Sequence, residues 1–213
     1  MTDKGKEIEK FIESLQNCTK VFKKPVENIY SSKKFIGAEN NVNNLRLYLN
    51  KMFELKPKYM IVGEAPGYNG CRLTGIPFTS EEIISTNSFF TDKYKFGIPP
   101  QFGNPPQSED TASIVWEFFA GKELPLMWNA FPFHPYKDKL ESNRNKLIKD
   151  EIELGKCFLC KLLSIFNEIP RENIIAVGEN AQYCLSLLFI NEVRHPARGG
   201  KNEFIKGMTG FLK

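Results

Sequence analysis

The residues with the greatest chemical capacity in this chain lie in four short stretches. The first, Gly63-Glu64-Ala65-Pro66-Gly67, ends an apolar run and carries a carboxylate into a glycine-rich turn followed by Tyr68. Glycines there let backbone press closely against a ligand. The stretch is not a phosphate-binding P-loop, because no Gly-Lys-Ser/Thr follows, and it lacks the G-x-G-x-x-G of a dinucleotide fingerprint. The second, GIPFTS (Gly75 to Ser80), sets Phe78 in a polar loop, where an aromatic ring can serve as a platform for a base. The third, MWNAFPFHP, ends an apolar run at Asn129. A carboxamide offers a donor and an acceptor together, which complements an N–H beside a carbonyl, as on the edge of uracil. The fourth, VRHPARGG, holds His195 between Arg194 and Arg198, with Gly199 and Lys201 beyond. An imidazole there can stabilise developing negative charge, while cations and glycine amides can hold phosphates. Each stretch also has a plain structural reading: a strand-ending turn, a core aromatic, a backbone-bonded asparagine, a solvated basic loop.

The elements that would position these residues follow from hydrophobic patterning. Lys58–Gly63, Leu124–Phe131 and Asn173–Gly178 read as strands, with Ile190–Pro196 a short fourth; short apolar runs bounded by Gly, Pro or Asn are expected of strands covered on both faces. Helical periodicity separates them. Ile8, Phe11, Ile12 and Leu15 share one helical face, and Val42, Leu45, Leu49, Met52 and Phe53 another. Ile114, Val115, Phe118 and Phe119 mark a helix closed by Gly121, and residues 151–167 a long one with Phe158, Leu162, Ile165 and Phe166 inward. Asn180 is placed to cap a helix carrying Cys184, Leu185 and Leu188. Strands alternating with helices imply an α/β fold with a mainly parallel sheet. Residues 68–104, rich in Gly, Pro, Ser and Thr, read as one long functional loop. Sites in such folds lie beyond the carboxyl ends of the strands. Both histidines of the chain, His134 and His195, fall there.

At 213 residues a single domain, 1–213, is expected, with residues 1–57 a helical extension packed on it. Charges of 29 basic and 25 acidic residues leave a net +4, compatible with a nucleic-acid partner without demanding one. No run of about 18 apolar residues suggests a membrane span, and the N-terminus lacks the apolar core of a signal peptide, so a cytoplasmic, monomeric protein is expected. The five cysteines are odd in number and scattered, which argues against a secreted disulfide scaffold.

GEAPG, GIPFTS, WNAFPF and RHPARGG, in this order and at roughly these separations, resemble the uracil-DNA glycosylase superfamily, most closely its family-4 branch, whose first motif is also GEAPG. The resemblance covers residues 58–200. It implies a three-layer α/β/α fold around a four-stranded sheet, and a monofunctional glycosylase that hydrolyses the N-glycosidic bond of uracil flipped out of DNA. Carried over residue by residue, Gly63–Gly67 line the pocket, Phe78 stacks on the flipped base, Asn129 reads uracil, and His195 bonds its O2. Arg194, Arg198, Gly199 and Lys201 fall where the family inserts a loop into the DNA minor groove.

Several positions depart from the pattern. Ala65 stands where several relatives carry an Asp or Asn that positions water, as it does in family-4 enzymes, which leaves Glu64 or a backbone carbonyl for that task. Gly67 replaces a tyrosine that blocks the methyl group of thymine, with Tyr68 the nearest substitute. The family-4 branch implies an iron–sulfur cluster on four cysteines, but the N-terminal C-x-x-C is missing and Cys157-Phe-Leu-Cys160 lies in an apolar helical pattern. No metal and no cofactor are therefore expected. The alternatives are a catalytically silent nucleic-acid-binding homologue on the same scaffold, or a glycosylase for another base such as hypoxanthine or mismatched thymine.

Overall fold

The computed structural model describes residues 3–91, 95–98, 105–141, 143–144, 146–186 and 191–212. In chain order the elements are α1 (Asp3–Gln16), β1 (Val26–Glu27), α2 (Ala38–Leu55), β2 (Met60–Gly63), α3 (Cys71–Thr74), α4 (Glu81–Thr86), α5 (Ser88–Thr91), α6 (Asp110–Phe119), β3 (Leu126–Asn129), β4 (His134–Pro135), α7 (Lys149–Ile165), β5 (Ile174–Val177), α8 (Glu179–Leu185), β6 (Asn191–Val193) and α9 (Lys201–Phe211). β2, β3, β5 and β6 form an all-parallel sheet in the order β3-β2-β5-β6. Every residue of β2, β3 and β5 is buried, which is why these strands appear in the sequence as unbroken apolar runs rather than alternating ones. This is the three-layer α/β/α arrangement expected from the sequence.

The chain leaves β2 for β3 on one side and returns across β2 to β5 on the other. Such a reversal opens a crevice at the carboxyl ends of the strands. The register sets what meets there: Gly63 pairs with Asn129 across β2 and β3, and Gly178 donates its N–H to Val193 O at 2.8 Å, just before Arg194 and His195.

α1 buries Ile8, Phe11, Ile12 and Leu15 against α2 and α7, on the face its periodicity predicts. α2 does more than its apolar stripe requires. Asn41 and Asn44 are fully buried, and a buried carboxamide must find partners. Asn41 Nδ2 donates to Ile29 O at 3.1 Å and Arg72 O at 2.9 Å. Asn44 Nδ2 donates to Thr74 O and Gly97 O, each at 2.9 Å, and its Oδ1 accepts from Gly97 N–H at 2.8 Å. These two side chains tie down much of the segment read as one irregular loop. That segment contains α3, α4 and α5, and its residues 92–94 and 99–104 lie outside the described set.

Other elements also differ from the sequence-based expectations. A two-stranded antiparallel ladder of β1 and β4 and the C-terminal helix α9, with Phe204 and Met208 buried, were not anticipated. Gly178, not Asn180, is the N-cap residue of α8, and no side chain caps it. Leu188 and Ile190 fall outside the described residues. Cys157 and Cys160 are exposed rather than buried, because the inward face of α7 is Gly155, Phe158, Leu159 and Leu162 and the two thiols project from the opposite side. Among the described residues no helix is long and apolar enough to cross a membrane.

Candidate functional site

At the carboxyl ends of the parallel strands lies a cavity of about 600 Å³. The whole of Gly63–Gly67 borders it, together with Phe78, Asn129 and His195. Three side chains separated by 51 and 66 positions in the chain, 129 − 78 and 195 − 129, thus face one space.

The floor depends on Gly63. A Cβ at that position would stand 2.8 Å from both Asn129 Oδ1 and Phe78 Cζ, so the missing side chain is what allows ring and carboxamide to meet over the end of β2. Phe78 has φ +54, a left-handed conformation that costs a bulky residue free energy and that surrounding contacts must hold. Trp116 Nε1 donates to Phe78 O at 3.0 Å, and Thr74 Oγ1 donates to Thr79 O at 2.8 Å. These bonds turn the ring towards the cavity. Asn129 Nδ2 donates to Cys71 Sγ at 3.7 Å. Burial, followed by the charge of Glu109, pushes the Cys71 thiol up, so it stays protonated.

His195 accepts the Ala197 N–H on Nδ1 at 3.2 Å, which leaves Nε2 as the nitrogen carrying the proton. Burial lowers its pKa, and the charges of Arg194 and Arg198 lower it further. The ring is therefore neutral at neutral pH and presents an N–H donor. Arg194 and Arg198 are exposed at the rim of the same cavity. Arg198 (φ +55) and Gly199 (φ +79) make consecutive left-handed turns that lead the chain into α9.

Glu64 is held by Asn180, whose Nδ2 donates to Oε2 at 3.0 Å. Burial raises its pKa to about 7, against the opposing pull of Asn180, the Leu147 amide and the Arg144 charge. A carboxyl that titrates near neutrality in a cleft is suited to proton transfer.

Tyr68, Gly199, Lys201 and His134 do not border the cavity. The Tyr68 ring lies 4.7 Å from the Arg72 guanidinium, which is buried in an ion pair with Glu27 at 2.6 Å and offers the ring a cation–π contact. Lys201 pairs with Glu117 at 2.8 Å and pins α9 to α6, and Gly199 is absent from the cavity lining. His134 is fully buried, with Nδ1 2.8 Å from Pro66 O and Nε2 2.9 Å from Leu140 O. It supports the GEAPG turn from behind and does not face the cavity.

The sequence reading missed Glu109, Arg144, Asn143 and Cys71, all of which line the cavity. Glu109 directly precedes α6, and an acidic residue at a helix start ordinarily signals only the helix dipole. Burial, with a smaller contribution from Asp110, raises its pKa to about 7. The folded state therefore holds a proton on Glu109 between about pH 4.5 and 7 that the unfolded chain releases. Stability from this group is complete below that window and is lost as pH rises through it. Glu109→Gln should accordingly stabilise the fold by roughly 1–3 kcal/mol at pH 8, with a higher melting temperature there, and by much less at pH 5. Paired thermal melts at the two pH values check this.

The cysteines do not form a cluster site. Cys71 and Cys184 are buried, Cys157 and Cys160 are exposed on α7, and among the described residues no three His, Cys, Asp or Glu side chains are grouped to hold a metal ion. The donor set for a four-thiolate cluster is not assembled here.

No protein-family model matches the chain, and no curated protein does so. Its fold is similar to the crystal structure of wild-type Pedobacter heparinus SMUG2, with a TM-score of 0.71 over 100% of this chain and 97% of that one, at 18% sequence identity. That likeness does not single out the family-4 branch suggested by GEAPG. The four parallel strands, their flanking helices and the cavity at their carboxyl ends together make this a uracil-DNA glycosylase-like fold.

Proposed function

We propose that the protein is a monofunctional DNA glycosylase that excises uracil from DNA. The observation that carries this reading is the shared cavity of Phe78, Asn129 and His195 above Gly63–Gly67. Its fold likeness to SMUG2, a member of the uracil-DNA glycosylase superfamily, supports it.

The target nucleotide leaves the stack at a cost of a few kcal/mol. Arg194 and Arg198 hold backbone phosphates at the rim, and the everted base lies against Phe78. Asn129 presents its carboxamide to N3–H and O4. Cytosine inverts that donor and acceptor pattern, and each mispaired buried group costs about 1–3 kcal/mol. The C1′–N1 bond then breaks, and its electron pair stays on the base, spread over N1 and O2. The neutral His195 ring donates Nε2–H to O2. A water oxygen bonds to C1′, and the proton it loses goes to the Glu64 carboxylate, from which it returns to the departing base. No lysine borders the cavity among the described residues, which supports water as the nucleophile.

A uracil-containing oligonucleotide, treated with alkali after incubation, should be cut at the uracil. No cut product on single or double strands at high enzyme concentration would rule out this activity. Asn129→Asp should lower uracil excision about 10-fold to 100-fold and weaken selection against cytosine. Unchanged turnover and base preference would remove Asn129 from its assigned role. Ala65, which offers no polar side chain to position water, favours a second reading as a silent binding homologue. That protein would show salt-dependent binding to abasic or uracil DNA without turnover.

A further inference from the structure

The opening in front of Gly67, where the resemblance leaves no tyrosine, is not empty. The Glu109 carboxyl occupies it. A Cβ on Gly67 would collide with Glu109 Oε1, and a Cβ on Gly70 would lie 2.5 Å from Glu109 Cδ. Two glycines on the loop after β2 thus make room for one acid from the start of α6. No capping hydrogen bond employs that acid at the helix end, and it borders the cavity.

Its place relative to the base follows from the neighbours. Asn129 Nδ2 bonds Cys71 Sγ, and the Glu109 carboxyl lies against Gly70, the residue directly before Cys71. Asn129, Cys71 and Glu109 therefore form one continuous wall. His195 lies at the other end of the rim, after β6, with Gly178 against its ring. A uracil that gives O2 to His195 and N3–H and O4 to Asn129 must turn the next ring position, C5, towards Cys71 and Glu109.

We propose that Glu109 is a specificity-determining residue that rejects a 5-methyl group and so distinguishes uracil from thymine; the inference rests on the uracil reading above. A methyl group at C5 would take the space in front of the carboxyl and leave a polar group buried against hydrocarbon. Such burial without a partner is unfavourable. The C5–H of uracil is too small to fill that space and adds no such contact.

The test compares U·G and T·G oligonucleotides with wild-type protein, Glu109→Ala and Glu109→Gln. The ratio of thymine to uracil excision should rise roughly 10-fold or more in Glu109→Ala, while Glu109→Gln, which keeps the shape and polarity, should hold the wild-type ratio. An unchanged ratio in Glu109→Ala overturns the assignment. Loss of both activities with an unchanged melting temperature also overturns it, since the carboxyl would then serve the reaction itself. Wild-type protein that leaves uracil intact overturns the uracil reading and this inference together, an outcome visible before any variant is assayed. Should Glu109→Ala not fold, Glu109→Asp, which withdraws the carboxyl by one methylene, carries the same ratio test.

Discussion

Replacing His195 by alanine should lower uracil excision about 10²-fold to 10³-fold, the range seen when one donor to a developing oxyanion is removed. The size of the effect follows from the ring's protonation state. Ala197 N–H occupies Nδ1, and burial with the charges of Arg194 and Arg198 keeps the imidazole neutral. On the proposed mechanism the ring is already the neutral N–H donor that charge on O2 requires, so no proton has to be rearranged as that charge builds up. Single-turnover kinetics should place the loss in the chemical step, with DNA affinity changed far less. The pH profile separates His195 from Glu64. In the proposed mechanism Glu64 accepts the proton from water, which requires its ionised form, and its pKa is raised to about 7. The rate should therefore climb with pH to a plateau through that value. His195→Ala should depress the plateau and leave the climb in place, whereas Glu64→Gln should abolish the climb. A profile that shifts in the histidine variant would contradict this division of labour.

Arg144→Ala should destabilise the fold by about 3–5 kcal/mol, the usual result of breaking one side of a buried ion pair. Glu151 is fully buried, and Arg144 reaches it through Nη1 at 2.9 Å and Nη2 at 2.5 Å, with Nη1 also donating to Lys146 O at 2.9 Å. Alanine at 144 would leave the Glu151 carboxylate charged and without its cation inside the protein, although Glu151 still accepts the Ile148 N–H at 2.8 Å. A fall in melting temperature of roughly 10 °C is expected for a chain of this size. Replacing both residues by apolar ones should recover much of the loss, because the penalty lies in the stranded charge. Activity should register the change as well. The Arg144 charge holds the Glu64 pKa down, so its removal should move the climb in rate to higher pH. Denaturant titrations and pH–rate curves on the same preparations test both halves.

Much of the scaffold was legible because it is repetitive physics. A strand covered on both faces must be apolar throughout, and β2, β3 and β5 are. A helix lying on a core must repeat its apolar residues each turn, as α1 does with Ile8, Phe11, Ile12 and Leu15. The same reasoning failed where polar residues were structural. Asn41 and Asn44 interrupt no pattern, yet their buried carboxamides organise the segment that carries Phe78. It failed again with Tyr68 and His134, whose neighbours Arg72, Pro66 and Leu140 draw them away from the cavity.

By itself the amino-acid sequence determined the main strands and helices, the parallel α/β class and the polar residues that stand at the strand ends. Those properties depend on local composition and period. Only the tertiary structure decided which strand ends are neighbours, because three equally apolar strands contain nothing that ranks their pairings; the register of Gly63 with Asn129 emerges from the assembled sheet. It also decided that Glu109, rather than Tyr68, fills the space in front of Gly67. That choice is made by the volume two glycines leave vacant and by the desolvation of one carboxyl, and neither exists until distant segments pack together.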